Sequence, residues 1–324
     1  MIAKAIAYLA NEHIFIFLGG DCLDYIPKHK DELSLIKFIA EYQYINLDDL
    51  PYIFSSREYY KKRVTKLIKE NLISRLDHHL ILTSRGRIFA KTLGLTCNKP
   101  NRDIKYYPRL YYISGLAAFY FNSNFVSFTP SFNIKDKDVL TTSSRRYIGI
   151  MNINGIDYLT YHISKERDKK YISSVIYDIQ KESKYRNIIV FIDTDVKIDT
   201  LNFTFGYNQV LIVEDTLENR NKLAYVNSIN WYKILCKIFK NPHLSEYNFC
   251  DYIDDKNRYI SYFTLFDTEK INRINQFLRE NKFKKIEILC SKELYPKLKQ
   301  EIPRSNYTVL NIENYIDRKK NIYE

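Results

Sequence analysis

Four short apolar runs in the second half of the chain restrict its fold more than any other feature. They are NIIVFID at 187–193, QVLIVE at 209–214, KIEILC at 285–290 and YTVL at 307–310. Each is rich in β-branched residues and too short for a helix, and several are apolar at consecutive positions rather than alternate ones. A strand of that kind needs cover on both faces, which a parallel or mixed sheet with flanking helices provides. Helical spacing at 171–184, 268–280 and 293–301 supplies such cover. Earlier in the chain, RYIGIM at 146–151 and YLTYHI at 158–163 alternate and are joined by Asn154-Gly155, a strong type I′ hairpin signal. RYISYFTLF at 258–266 reads as one more strand. The pattern predicts an α/β domain with a mixed sheet over residues 109–324, opened by a helix at 111–121, in a chain that is α+β as a whole.

The first hundred residues have another texture. Residues 55–82, SSREYYKKRVTKLIKENLISRLDHHLIL, read as a helix followed by a tight hairpin. Ser55 and Glu58 have the spacing of a capping box, in which each side chain satisfies a backbone donor of the other. Tyr60, Val64, Leu67 and Ile68 fall on one helical face, while Lys62, Thr65, Lys66 and Lys69 fall on the other. From 57 to 69, six basic residues stand against one acidic residue, Glu58. The hairpin arranges Leu72, Ile73, Leu76, Leu80 and Leu82 around a turn at Asp77-His78-His79, which predicts an exposed tip there. Helical patterns at 31–42 and 47–54 precede this unit and another at 84–93 closes it, giving the element order of a winged helix-turn-helix.

In that arrangement the third helix enters the major groove and the wing reaches the backbone or minor groove. Arg57, Lys61, Lys62 and Thr65 are therefore expected near DNA, Lys69 and Arg75 at phosphates, and His78 and His79 at the wing tip. The winged-helix domain is assigned to residues 1–97, including an N-terminal extension with a short helix over 1–12 and an extended segment over 13–18. The polar stretch 98–108, which holds Pro100 and Pro108, reads as a linker.

A net charge of +12 suits a polyanionic partner. A composition rich in Lys, Ile, Asn and Tyr raises lysine everywhere, so clustering on one helix face is the stronger sign. The five cysteines, Cys22, Cys97, Cys236, Cys250 and Cys290, have no metal-ligand spacing, which predicts reduced thiols in a cytoplasmic protein without a disulfide framework or zinc site. Asn11-Glu12-His13 interrupts the apolar start, and no run reaches the roughly 18 apolar residues that span a bilayer, so no membrane partner is expected.

Neither phosphate-loop signature is present, and no nucleotide cofactor is expected. Asp195-Val196-Lys197, at the end of an apolar strand, offers a D-x-K set that Asp157 on the preceding hairpin would complete. Nucleases of the restriction type hold Mg²⁺ with such carboxylates and orient water with the lysine. D-x-K also arises by chance at strand ends in a chain rich in Asp and Lys, where acids cap turns. Glu214 and Asp215 end the next strand, and there helix capping is the favoured expectation over metal binding. The six histidines form no H-x-H set to support tyrosine-nucleophile chemistry. No catalytic residue is therefore assigned; Asp157, Asp195 and Lys197 are candidates only for a nuclease alternative, the one reading that calls for Mg²⁺.

The segment 33–93, with Leu82-Thr83-Ser84-Arg85-Gly86 inside it, is followed by Arg145-Arg146-Tyr147-Ile148-Gly149 and Ile189-Val190-Phe191-Ile192-Asp193. Together they resemble the replication-relaxation family of plasmids and integrative elements in Gram-positive bacteria. The resemblance covers most of residues 30–240 and rests on hydrophobic patterns. It implies a winged-helix binder of double-stranded DNA with a nuclease-like α/β domain, tied to replication, transfer or regulation of mobile DNA. Because the nuclease signature is incomplete, the expectation is a non-catalytic accessory or regulatory protein whose α/β domain serves dimerisation or partner binding. A Mg²⁺-dependent nuclease or nickase is the first alternative, and a winged helix that binds a protein partner is the second.

Overall fold

The computed structural model describes residues 7–10, 13–18, 21–22, 27, 29–56, 59–97, 106–134, 146–181, 185–196, 207–225 and 229–311. They fall into two units, 1–122 and 123–324, and the whole is mixed α/β.

The first unit opens with three antiparallel strands, β1 (Ala7–Ala10), β2 (His13–Leu18) and β3 (Asp21–Cys22). The helix expected over 1–12 is thus replaced by a strand at Ala7–Ala10. The adjacent strand His13–Leu18 offers a ladder, and that pairing outweighs the high helix propensity of the alanines.

Helix α1 (Lys30–Tyr42) begins where His29 Nδ1 accepts the Asp31 N–H, and Asp31 and Glu32 occupy its positive first turn. Its apolar face buries Leu35, Ile36, Phe38 and Ile39. A two-residue strand β4 (Ile45–Asn46) and a 3₁₀ turn at Leu47–Asp49 lead to α2 (Leu50–Ile53). Then come α3 (Tyr60–Lys69), the hairpin strands β5 (Ile73–Leu76) and β6 (His79–Leu82), α4 (Ser84–Thr92) and α5 (Tyr107–Tyr120). Strand β6 lies between β4 and β5 in a small antiparallel sheet.

The LTSRG stretch ties the hairpin to α4. Thr83 Oγ1 accepts the Gly86 N–H at 3.0 Å as helix cap, and its own hydroxyl donates to the Asn71 and Leu72 carbonyls. A Cβ on Gly86 would lie 1.9 Å from the Leu72 carbonyl oxygen, so only glycine fits.

The second domain expected from residue 109 does not own its first helix. Helix α5 is apolar nearly all round, and such a helix has to be buried. It packs on α1, α2 and β4 within the first unit, where Ser114 Oγ donates to the Tyr44 carbonyl and Asn122 Nδ2 donates to the Tyr52 carbonyl at 2.7 Å.

The second unit holds two sheets over a shared core. Strands β7 (Val126–Pro130), β8 (Gly149–Ile153) and β9 (Ile156–Ile163) form an antiparallel meander. At the β8–β9 turn Asn154 and Gly155 both have positive φ, 51° and 85°, as the sequence predicts for a type I′ hairpin. Helix α6 (Lys169–Lys181) then crosses over to β10 (Asn187–Ile192), which is parallel to β9, and β11 (Gln209–Glu214) continues in parallel.

After helices α7 (Leu217–Tyr225) and α8 (Trp231–Ile238) come β12 (His243–Leu244), β13 (Tyr252–Ile253) and β14 (Tyr259–Phe263). Two residues later β15 (Phe266–Asp267) joins the first sheet beside β11. Helix α9 (Thr268–Glu280), β16 (Ile286–Ser291), α10 (Tyr295–Glu301) and β17 (Asn306–Leu310) complete the unit. The sheet orders are β15-β11-β10-β9-β8-β7 and β12-β13-β14-β16-β17. Strands β10, β11 and β16 are buried along nearly their full length, which explains their uninterrupted apolar sequences.

Candidate functional site

Two places in the described residues gather side chains with functional chemistry. The first is α3 with the hairpin behind it. Val64 and Leu67 bury one face of α3, and Arg63 turns to the buried carboxylate of Glu32, with Nη1 3.6 Å from Oε1. Lys61, Lys62, Thr65, Lys66 and Lys69 are exposed on the remaining surface, and α3 contains no acid at all. Thr65 Oγ1 donates back to the Lys61 carbonyl at 2.9 Å. Lys66 and Lys69 occupy the last turn, where the helix dipole favours cations. Arg75, on β5, and His78, in the turn, are exposed too.

Three expectations for this surface change. His79 is buried at 6 % exposure rather than placed at a wing tip, because β6 is covered along its whole length and its first residue is covered with it. Burial pushes its imidazole down from the ordinary value, with His78 acting in the same direction and Asp77 against it. Ser55 does not cap α3: its hydroxyl donates to both carboxylate oxygens of Asp31, at 3.0 and 2.9 Å, and the helix starts only at Tyr60. Arg57 and Glu58 lie outside the described residues.

The second place is the carboxyl rim of the three parallel strands β9, β10 and β11, the edge at which open α/β sheets bind ligands. His162 stands one residue before the end of β9, opposite Phe191 of β10. Asp193 directly follows β10 and Asp215 directly follows β11. Backbone bonds carry the ladder onto both acids, from Asp193 N to the Ile163 carbonyl at 3.2 Å and from Asp215 N to the Ile192 carbonyl at 2.7 Å. Nε2 of His162 lies 3.1 Å from Asp193 Oδ1, and the Lys165 N–H donates to Asp193 Oδ2 at 2.9 Å. Arg220 grips Asp215 with both oxygens, Nε to Oδ1 at 2.6 Å and Nη2 to Oδ2 at 2.8 Å. One ligand-type atom from each of His162, Asp193 and Asp215 lies within 4.8 Å of the others, and all three residues are half-buried. Burial lowers the His162 pKa against the pull of Asp193.

The carboxylates singled out from sequence are not brought together. Asp157 is the second residue of β9, at the opposite end of that strand, where its carboxylate accepts from Asn152 Nδ2 at 2.6 Å. Asp195 is on the rim but largely exposed, 3.9 Å from Lys165 Nζ, and Lys197 lies outside the described residues. Neither Glu214 nor Asp215 caps α7. Thr216 does so, its Oγ1 accepting the Asn219 N–H at 3.2 Å, while Glu214 pairs with Lys297 at 3.0 Å. The signal for the rim cluster was the acid directly after each apolar run; nothing in local spacing marks His162 as their companion. Among the described residues no helix is long and apolar enough to cross a membrane. No protein-family model, no curated protein and no solved structure matches this chain, so the resemblance noted above rests on its residues alone.

Proposed function

We propose that the chain is a sequence-specific binder of double-stranded DNA that acts through its first unit as a winged helix-turn-helix. In this reading it is a non-catalytic accessory or regulatory protein of a plasmid or other mobile element. The observation that carries the proposal is the division of α3 into a buried apolar face and an exposed face bearing Lys61, Lys62, Thr65, Lys66 and Lys69 with no acid among them. Any surface helix divides into an apolar and a polar face, but one that only packs can carry both signs on its polar face, whereas a groove-reading helix needs that face free of acids to approach phosphates without repulsion. The order α1, β4, α2, α3, β5, β6, with β4 paired to β6, agrees with a winged helix in which β5 and β6 form the wing. Arg75 and His78 are the exposed wing residues available to the DNA backbone. A homodimer on a repeated or palindromic site belongs to the same proposal, since half-site symmetry mirrors protein symmetry.

The test is fluorescence anisotropy of the full chain on genomic DNA fragments across a salt series. Tight binding with a steep salt dependence is the expected result. Lys61→Glu with Lys62→Glu should weaken affinity by at least about tenfold and flatten the slope. Unchanged affinity in that double variant removes α3 as the DNA-reading element.

A further inference from the structure

We propose that His162, Asp193 and Asp215 bind one divalent transition-metal ion of the Mn²⁺ and Zn²⁺ class. The proposal concerns the second unit and stands independently of DNA binding by α3.

The first support is geometric. Protein ligands sit about 2.0–2.2 Å from such ions, so atoms around one ion stand roughly 3–4 Å from one another. His162 Nε2 and Asp193 Oδ1, 3.1 Å apart, stand at the spacing of one edge of such a polyhedron; the proton they share would leave Nε2 as the ion enters, either released to solvent or replaced by the Nδ1–H tautomer. Asp215 completes a set whose mutual distances stay within 4.8 Å, which small side-chain rotations bring into range. Ladder hydrogen bonds fix the backbone at Asp193 and Asp215.

The second support is the surrounding shell. Metal-binding carboxylates are normally held by further donors. Here the Lys165 N–H holds Asp193 and the Arg220 guanidinium holds Asp215. A carboxylate oxygen has two lone pairs, so Arg220 takes one on each Asp215 oxygen and leaves one on each for an ion. Two carboxylates against a single guanidinium also leave the three-residue cluster with Arg220 short of positive charge.

The chemistry of the donors selects the ion. Imidazole nitrogen with carboxylate oxygen favours Mn²⁺, Fe²⁺, Co²⁺ or Zn²⁺, whereas Mg²⁺ and Ca²⁺ prefer oxygen alone. Three protein ligands on a half-buried rim leave coordination positions to water, the pattern of a reactive rather than a closed structural site.

The experiment is calorimetric titration of chelator-treated full-length protein with MnCl₂, ZnCl₂ and MgCl₂, paired with pulsed electron paramagnetic resonance of the Mn²⁺ form. One Mn²⁺ or Zn²⁺ per chain is expected, with Mg²⁺ at least about tenfold weaker. His162→Gln, Asp193→Asn and Asp215→Asn should each lower affinity at least about tenfold, while Asp157→Asn at the opposite end of β9 leaves it unchanged. The wild-type spectrum should show coupling to one imidazole nitrogen, a readout that needs no variant to fold. Absence of binding, a Mn²⁺ signal without nitrogen coupling, or binding that survives in His162→Gln overturns the proposal.

Discussion

The imidazole of His79 and the phenol ring of Tyr111 lie face to face, their centroids 3.4 Å apart and their planes 12° from parallel. Both imidazole nitrogens are buried and have no hydrogen-bond partner among the described residues. A charged imidazole there would lose its hydration without replacement, which is why burial lowers the pKa from the ordinary 6.5. The folded value lies below the unfolded one, so as pH falls through about 6.5 the unfolded chain takes up a proton first. Stability is therefore expected to be flat above that pH and to decline below it. Amide exchange of the β6 and α5 segments between pH 5 and 8 reports the effect. His79→Phe should keep the stack and lose the pH dependence of those segments; an unchanged dependence in that variant assigns it to another group.

Gly86 and Gly94 separate two reasons for glycine. At Gly86 a methyl group meets the Leu72 carbonyl oxygen, an immovable backbone atom, so Gly86→Ala should destabilise by about 3 kcal/mol through overpacking. At Gly94 there is open space and only a φ of +77°, so Gly94→Ala should cost about 1 kcal/mol. Urea unfolding followed by circular dichroism measures both, and equal costs would refute the clamp between hairpin and α4.

Arg63 and Lys62 are sequence neighbours with opposite assignments. Arg63 faces Glu32 across 3.6 Å, so Arg63→Gln should cost about 1 kcal/mol of stability and leave the salt dependence of DNA binding as it is. Lys62→Gln should leave stability within about 0.5 kcal/mol and reduce the salt slope by about one. Anisotropy and denaturant titrations on the two variants must give this crossed pattern; if both variants change the slope alike, α3 is oriented differently on its target.

Asp254 is fully buried and organises the turn before β14. Its Oδ1 accepts from Lys256 N at 3.0 Å and Arg258 N at 2.9 Å, and Oδ2 accepts from Arg258 Nε at 2.8 Å. Burial alone would raise the carboxyl pKa, but the bonds from Arg258 and the backbone bring it below the ordinary 3.8. This contribution is present above the unfolded value and is lost as pH falls through 3.8 and below. Asp254→Ala should therefore cost about 2 kcal/mol at pH 7 and less in acid. Trp231, the single tryptophan, stacks on Tyr262 in the same unit and reports the unfolding. A cost that does not shrink in acid would show that packing, not the ionised carboxylate, is what the variant loses.

The long strands were legible because burial on both faces leaves its mark in every residue, as in NIIVFI of β10 and QVLIVE of β11. The pairs Ile45–Asn46 and Tyr252–Ile253 were not, because two residues become a strand only through the partner they meet, and the one strand expected over 258–266 divides into β14 and β15 in different sheets. The basic face of α3 was readable from helical period alone, apart from its starting point, which depended on whether Ser55 would serve its own helix or the start of α1. The rim cluster was legible only as two separate acids, and its assembly was hidden for a topological reason. His162, Asp193 and Asp215 belong to three different strands, and only the parallel register of β9, β10 and β11 makes them neighbours. Local spacing drew attention to Asp157 and Asp195, which the same register holds apart.

The short step from β14 to β15 has a consequence for how the second unit can be divided. Phe263 ends a strand of one sheet and Phe266 begins a strand of the other, with only Thr264 and Leu265 between them. Because β15 closes the edge of the first sheet from a point late in the chain, a cut before it deprives that sheet of its outer strand. A cut after it separates β14 from β16, its parallel neighbour. No cut on either side of β15 therefore leaves both sheets with all their strands, and the two sheets form one inseparable fold.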